Sequence, residues 1–172
     1  MRPAPGEFRA EDDPGLTAPQ LWVNRSLEHA SEAHAYGAEG LLTIHWRTRQ
    51  VAPQVSAIAL APWNAELTAS DVWLEWSKRE FGATGDVAQA AADVFASIDS
   101  YQLPRPVVWG GGPGNFTADP KQCGVNYTFV DAFISLSTHL EPKSREWERW
   151  EYWALTFKYM RSISALECTW SK

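Results

Sequence analysis

The stretch from Gly40 to Arg49 constrains the fold most, because it is the one segment of a helix-patterned sequence that is typical of a buried strand. Its sequence, GLLTIHWRTR, combines apolar, β-branched and aromatic residues, as expected for a strand covered on both faces. A lone strand leaves backbone N–H and C=O groups unpaired. We therefore expect partner strands upstream of Met1, or a different structure for this segment in the isolated chain.

Polar residues lie at the carboxyl end of this predicted strand. Alternation places His45 and Arg47 on one face, with Arg49 two positions on and Trp46 on the opposite face. Active sites of parallel α/β folds gather at the carboxyl ends of strands, so these residues are candidate substrate contacts. The same pattern would also result if the histidine were a structural residue and the arginines were exposed to solvent at the end of the strand.

Helical periodicity and capping signals dominate the remainder, and the predicted fold class is mainly α with one helix-strand step. Residues 1–16 are rich in Pro, Gly and acidic residues, and we interpret them as a tail or linker. A capping box at Thr17 and Gln20 would begin a helix that Gly37 ends, so residues 17–62 form a helix-strand unit. Residues 63–172 are predicted to be helical, apart from a Gly- and Pro-rich loop at 101–124. One helix is predicted from Pro53 to a break at Pro62, and the next begins with a shortened capping box at Thr68 and Asp71 and ends at Gly82 and Gly85. Further helices are predicted from Asp86, through Val130 and Phe133, and through Trp150 and Phe157, and the aromatic stripe of the last is interpreted as core.

The ten tryptophans are the compositional outlier. Tryptophan packs in cores, and it also stacks on the apolar faces of sugar rings. Trp63 and Trp109 lie outside the helical stripes and are the candidates for ligand contact. Trp109 and Asn115 belong to the Gly-rich loop, which either covers a ligand or is a connector packed by its own aromatic residues. A nucleotide site is excluded there, because the loop lacks the lysine and the helix context of a phosphate loop.

The net charge and the two cysteines limit the classes of ligand and partner that the sequence suggests. A net charge of -6 disfavours nucleic-acid binding, and no apolar run reaches the length of a membrane span. Cys123 and Cys168 form no metal motif, and they are equally compatible with a disulfide and with free thiols. Triplets of the type N-x-S/T at Asn24, Asn115 and Asn126 point to a secretory route. No motif indicates a cofactor or a metal ion.

The carboxylates do not form a recognisable catalytic pair. A glycosidase requires two carboxylates about 5 to 10 Å apart. The acidic residues of this chain fall mostly at predicted helix caps or on solvent-facing helix positions, and the sequence has no Gly-x-Ser-x-Gly nucleophile elbow. Catalytic residues are therefore not assigned.

Two segments resemble carbohydrate-active enzymes. GAEGLLTIHWRTR looks like the last helix-to-strand step of an eight-stranded barrel. APWNAELTASDVWLEWSKREFG resembles the stretch just past the barrel in family 67 α-glucuronidases and related glycoside hydrolases, with agarase-like enzymes as a further comparison. The matching positions are Trp63, Asn64, Leu67, Thr68, Asp71, Trp76, Phe81 and Gly82, with Ala65 in place of the usual proline.

This resemblance implies the C-terminal portion of a secreted barrel hydrolase that acts on an acidic, uronate- or sulfate-bearing polysaccharide. A whole barrel has about 250 residues, so the missing N-terminal barrel portion would be a partner and would carry the catalytic acids. The chain alone is then expected to be inactive and to supply substrate contacts. The candidate contacts are His45, Trp46, Arg47, Arg49, Trp63, Asn64, Trp109 and Asn115.

Two other hypotheses remain open from the sequence. The chain is a non-catalytic helical domain that binds carbohydrate or packs against a partner through its tryptophans, or it is an incomplete gene product without a function of its own. A barrel-encoding reading frame upstream of Met1 would favour the hydrolase.

Overall fold

The computed structural model describes residues 21–43, 49–99 and 120–170 and is mainly helical. The chain divides into two compact units, whose described parts lie within residues 21–99 and 120–170. The helices are α1 (Val23–Ala35), α2 (Ala52–Leu60), α3 (Ala69–Phe81), α4 (Gly85–Ile98), α5 (Thr128–Ser135) and α6 (Arg145–Trp170). Short 3-10 helices cover Arg49–Val51, Ala61–Trp63, Pro120–Gly124 and Leu136–His139. The prediction of a mainly α protein is therefore confirmed.

The predicted strand is not supported at either of its described ends. The backbone from Gly40 to Thr43 is irregular, Leu42 is 88% exposed, and Arg49 begins a 3-10 helix. Residues 44–48 lie outside the described part of the chain. No strand occurs among the residues that the structure describes, so nothing there pairs with the polar groups of an extended backbone. The helix-strand step expected from the sequence is thus wrong for the described part of Gly40 to Arg49.

Helix α1 ends as its sequence predicts. Gly37 adopts the left-handed conformation with φ 70°, which is open to glycine without steric cost. The N–H of Gly37 donates to the carbonyl of His34, and the N–H of Ala38 donates to the carbonyl of Ala33. This pair of bonds is a Schellman motif, and it satisfies carbonyls that the last turn leaves free.

The first turn of α1 is capped by a residue that is distant in sequence. Asp99, which follows α4 and is only 9% exposed, accepts the backbone N–H groups of Val23 and Asn24, each at 3.0 Å. It also accepts the side-chain amide N–H of Asn24 at 2.9 Å and the indole N–H of Trp73 at 3.2 Å. The carboxylate therefore caps α1, whose first N–H groups need an acceptor, and ties it to α3 and α4.

Aromatic rings form the core of the first unit, between α3 and α4. Trp73 stacks on Phe95 with ring centroids 5.5 Å apart, and Trp76 meets Phe95 edge-on at 4.8 Å. Phe81 packs edge-on against Trp76 at 5.5 Å. All four side chains are buried, so these tryptophans serve packing and are not available to a ligand.

Helix α3 begins with the capping box predicted from Thr68 and Asp71. The hydroxyl of Thr68 accepts the N–H of Asp71 at 3.2 Å, and the Asp71 carboxylate accepts the N–H of Thr68 at 3.0 Å and its hydroxyl at 2.6 Å. The hydrogen bond from the hydroxyl of Thr68, followed by that from its N–H, lowers the pKa of the Asp71 carboxyl. Gly82 ends α3 in the left-handed conformation, as predicted.

We expect this capping box to make the stability of the first unit depend on pH. Because the pKa of Asp71 is lower in the folded chain than its ordinary value of 3.8, its contribution is present above that value and is lost as the pH falls through the lowered pKa. Urea unfolding of wild type and Asp71→Asn at pH values from neutral to below that range measures the effect. The difference between the two proteins should shrink on acidification, and a constant difference would contradict this role for the carboxylate.

The second unit is built on α5, α6 and the 3-10 helix Pro120–Gly124. Its core consists of aromatic rings from both helices: Phe133 stacks on Trp150 at 5.9 Å, and Phe157 meets Phe133 edge-on at 5.3 Å. The indole N–H of buried Trp150 donates to the carbonyl of Phe133 at 3.1 Å. Ser144 caps α6 by accepting the N–H of Trp147 at 3.0 Å. The predicted interpretation of the α6 stripe as core is therefore confirmed for Trp150 and Phe157.

A disulfide joins Cys123 and Cys168 within the second unit. It links the 3-10 helix Pro120–Gly124 to the last turn of α6, across 45 residues of chain. The hydroxyl of buried Ser164, one turn earlier in α6, donates to the carbonyl of Gln122 at 3.3 Å. Of the two alternatives that the sequence left open for the cysteines, the structure shows the disulfide.

Candidate functional site

Trp63 is the most exposed tryptophan among the residues that the structure describes. Its side chain is 87% exposed, whereas Trp73, Trp76 and Trp153 are buried. It ends the 3-10 helix Ala61–Trp63, in which Pro62 fixes one backbone angle. This turn contacts both α1 and α2. The exposed indole therefore belongs to a turn that contacts two helices.

Asn64, the residue after Trp63, adds an exposed polar group to the same turn. Its side-chain oxygen accepts the N–H of Glu66 at 3.0 Å, a local turn of the kind that asparagine favours. Asn64 is exposed, and the nitrogen of its amide can donate to a hydroxyl group. An aromatic face next to an amide donor is the combination that sugar rings require, with stacking on one side and a hydrogen bond at the edge.

Arg49 lies at the other end of α2 from Trp63. It is exposed and begins the 3-10 helix that leads into α2. The nine residues of α2 separate the two side chains, which corresponds to about 14 Å along the helix. Trp63 and Asn64 are consecutive residues of one turn, whereas Arg49 lies beyond the opposite end of α2.

The other predicted contacts lie outside the described part of the chain. They are His45, Trp46, Arg47, Trp109 and Asn115. Their assignment as substrate contacts stays a prediction.

Sequence reasoning missed a second exposed tryptophan. Trp170, in the last turn of α6, is 71% exposed and belongs to the second unit. No role was assigned to Trp170 from the sequence, because it lies beyond the core-facing aromatic residues of α6 and outside every candidate loop. Trp63 differs from it in being held on a turn between helices.

Carboxylates in the described part of the chain serve as helix caps and ion-pair partners. Several described carboxylates have defined structural partners: Asp99 caps α1, Asp71 caps α3, Glu75 pairs with Lys78 at 2.6 Å, and Asp131 pairs with Arg161 at 2.8 Å. Within residues 21–43, 49–99 and 120–170, no cluster of three or more His, Cys, Asp or Glu side chains could hold a metal ion. Near Trp63 the exposed side chains are the indole, the amide of Asn64 and the carboxylate of Glu66.

Comparison with known proteins adds no family to this description. A scan against protein-family models and searches of curated proteins and of solved structures found no match to this chain.

None of the helices in the described ranges combines the length and the apolar character of a membrane-spanning segment.

Proposed function

We propose that this chain supplies carbohydrate contacts rather than catalysis, with Trp63 as the aromatic surface on which a sugar ring stacks. The observation that carries the proposal is the 87% exposure of Trp63 on a turn that contacts α1 and α2. The backbone of the turn is supported by these helices, so only the two side-chain torsions of Trp63 have to be ordered when a ligand binds. The hydrolase portion and the non-catalytic binding domain that the sequence suggests would share this role.

An acidic oligosaccharide is the proposed ligand class. A uronate or sulfate group would pair with the guanidinium of Arg49, which presents several N–H donors in one plane. Because Arg49 and Trp63 flank α2, such a ligand would extend along this helix over several sugar units. Its binding should weaken at high salt, whereas binding of a neutral oligosaccharide through Trp63 alone should depend little on salt.

Replacing Trp63 by alanine should weaken binding of the oligosaccharide by about tenfold or more, which corresponds to about 1.4 kcal/mol. The loss arises because the stacking surface disappears while the turn remains. Isothermal titration calorimetry with uronate-bearing xylan oligosaccharides, sulfated galactan oligosaccharides and neutral xylan oligosaccharides measures this change. Trp63→Phe should recover part of the affinity, since a smaller aromatic face remains.

Trp170→Ala is the matched control, since it removes an exposed tryptophan from the other unit. It should leave the affinity unchanged. Equal losses in both variants, or wild-type affinity in Trp63→Ala, would refute the assignment of the binding surface. The proposal also states that this chain does not supply catalysis. Assays for released reducing ends on the same samples test that statement, because turnover would place catalytic groups within this chain.

We infer that the chain folds in an oxidising compartment, as expected for a secreted parent protein. The disulfide between Cys123 and Cys168 supports this inference, because disulfides persist in secreted proteins and are rare in reducing compartments. Mass spectrometry after thiol alkylation tests it. The chain isolated from its native source should resist alkylation unless it is first reduced, and two alkylated cysteines in the unreduced sample would contradict the inference.

A further inference from the structure

The asparagines of two N-x-S/T triplets lie in the described part of the chain, and their surroundings differ. Asn24 lies in the first turn of α1, and its amide nitrogen donates to the buried carboxylate of Asp99 at 2.9 Å. Asn126 lies in the connection between the 3-10 helix Pro120–Gly124 and α5, and it is exposed. The amide nitrogen of Asn24 is therefore engaged in the fold, whereas Asn126 is placed at the surface.

A local hydrogen bond organises the second triplet, Asn126-Tyr127-Thr128. The side-chain oxygen of Asn126 accepts the N–H of Thr128 at 2.9 Å, which draws the first and third residues of the triplet into one turn. The middle residue, Tyr127, is buried and packs its ring against Phe129 at 5.8 Å. This bond uses the oxygen of the Asn126 amide and leaves its nitrogen out of the turn, and Asn126 itself is exposed next to a buried tyrosine.

We propose that Asn126 is the acceptor of an N-linked glycan and that Asn24 is not. The proposal rests on the inferred oxidising compartment, where the donor and its transferase occur in eukaryotic cells. Cys123 lies three positions before Asn126, so the disulfide and the acceptor share one surface segment. A glycan on Asn126 would project into solvent, because neither Asn126 nor Thr128 contributes to the core of the second unit.

The reaction is a group transfer without a redox step. The donor is an oligosaccharide linked through a diphosphate to a membrane lipid. The amide nitrogen of Asn126 forms a bond to the anomeric carbon of the first sugar, and the bond between that carbon and the diphosphate oxygen breaks. The lipid diphosphate leaves with the electron pair, and the amide nitrogen loses one proton to a base of the transferase. The hydroxyl of Thr128 completes the acceptor motif.

The test expresses the full chain behind a cleavable secretion signal in cultured eukaryotic cells and maps the peptides of the secreted protein. Enzymatic release of N-glycans leaves aspartate in place of a modified asparagine, so each triplet is read separately. The peptide containing Asn126 should carry a glycan, and the peptide containing Asn24 should not. Thr128→Ala should abolish the modification although Asn126 is unchanged, and Thr128→Ser should retain it.

An unmodified Asn126 in the secreted wild-type chain would overturn the proposal, and so would a glycan on Asn24. The state of Cys123 and Cys168 is determined on the same sample. A disulfide without a glycan on Asn126 would refute this proposal and leave the inferred compartment standing. Free thiols in the protein from the native source would instead contradict the compartment itself.

Discussion

Replacing Asp99 by alanine is expected to lower the free energy of unfolding of the first unit by about 3 kcal/mol or more. The substitution removes the acceptor for the N–H groups of Val23 and Asn24 and for the indole N–H of Trp73. Hydrogen bonds to a charged group contribute about 1.5 to 3 kcal/mol each, and a buried donor left without its acceptor adds its own cost. Since small domains are stable by about 5 to 15 kcal/mol, the loss is a large fraction of the total.

Asp93→Ala is the matched control for this prediction. Asp93 lies on the same helix, α4, but it is exposed and bonds only to the side chain of Gln89 among the contacts that the structure describes, at 2.8 Å. Its replacement should change stability by no more than about 0.5 kcal/mol. Urea unfolding followed by near-ultraviolet circular dichroism compares the two variants. Similar stabilities of Asp93→Ala and Asp99→Ala would show that the carboxylate does not hold α1 in place.

Asp99→Asn separates the charge of this group from its shape. The amide keeps one acceptor oxygen but presents an NH₂ group where the carboxylate accepted N–H groups. We expect a loss that lies between those of the alanine variant and wild type. Because α1 contacts the turn Ala61–Trp63, the same variants should also weaken carbohydrate binding as the first unit loses stability.

Removal of the disulfide is the second large effect that we expect. Closing a loop of 45 residues stabilises a protein by about 4 kcal/mol through the entropy of the unfolded chain. The double variant Cys123→Ser and Cys168→Ser should lose about this amount in the second unit only, since residues 20–101 contain no cysteine. Hydrogen exchange read peptide by peptide distinguishes the two units.

Peptides from residues 120–170 should lose protection in the double variant, and peptides from residues 21–99 should keep it. Addition of a reducing agent to the wild-type chain should reproduce the same pattern, whereas the double variant should not respond to it. Protection that falls equally in both units would contradict the assignment of the disulfide to the stability of one unit.

Local signals explain how much of the fold the sequence could predict. The capping box at Thr68 and Asp71, the left-handed glycines Gly37 and Gly82, and the break at Pro62 all act within a few residues, and the structure confirms them. Helical periodicity likewise identified the buried faces of α4 and α6. The capping box expected at Thr17 and Gln20 was an exception, because α1 begins only at Val23.

Non-local causes explain what the sequence could not predict. The acceptor that caps α1 is Asp99, which lies 76 residues from Val23, so no local pattern could reveal it. The apolar run that includes Leu41 and Leu42 was typical of a strand by composition. A strand forms only where partners pair with its backbone, and its described ends are irregular or 3-10 helical.

The candidate site shows the same division between local and tertiary causes. Trp63 was identified because it lies outside the helical stripes, and Asn64 through the resemblance to glycoside hydrolases; both are exposed. Arg49 was assigned to the same surface through an assumed strand, but α2 separates it from Trp63. Which of the ten tryptophans is buried depends on tertiary packing, which composition does not reveal.

Nuclear magnetic resonance of the ten indole N–H groups tests the central claim most directly. The chain is labelled with ¹⁵N, the resonance of Trp63 is assigned with Trp63→Phe, and the three oligosaccharide series are titrated in turn. The account predicts that the Trp63 indole shifts with the acidic oligosaccharides while the buried indoles of Trp73 and Trp153 do not. Saturation with no change at Trp63, or changes centred on Trp170 instead, would contradict it.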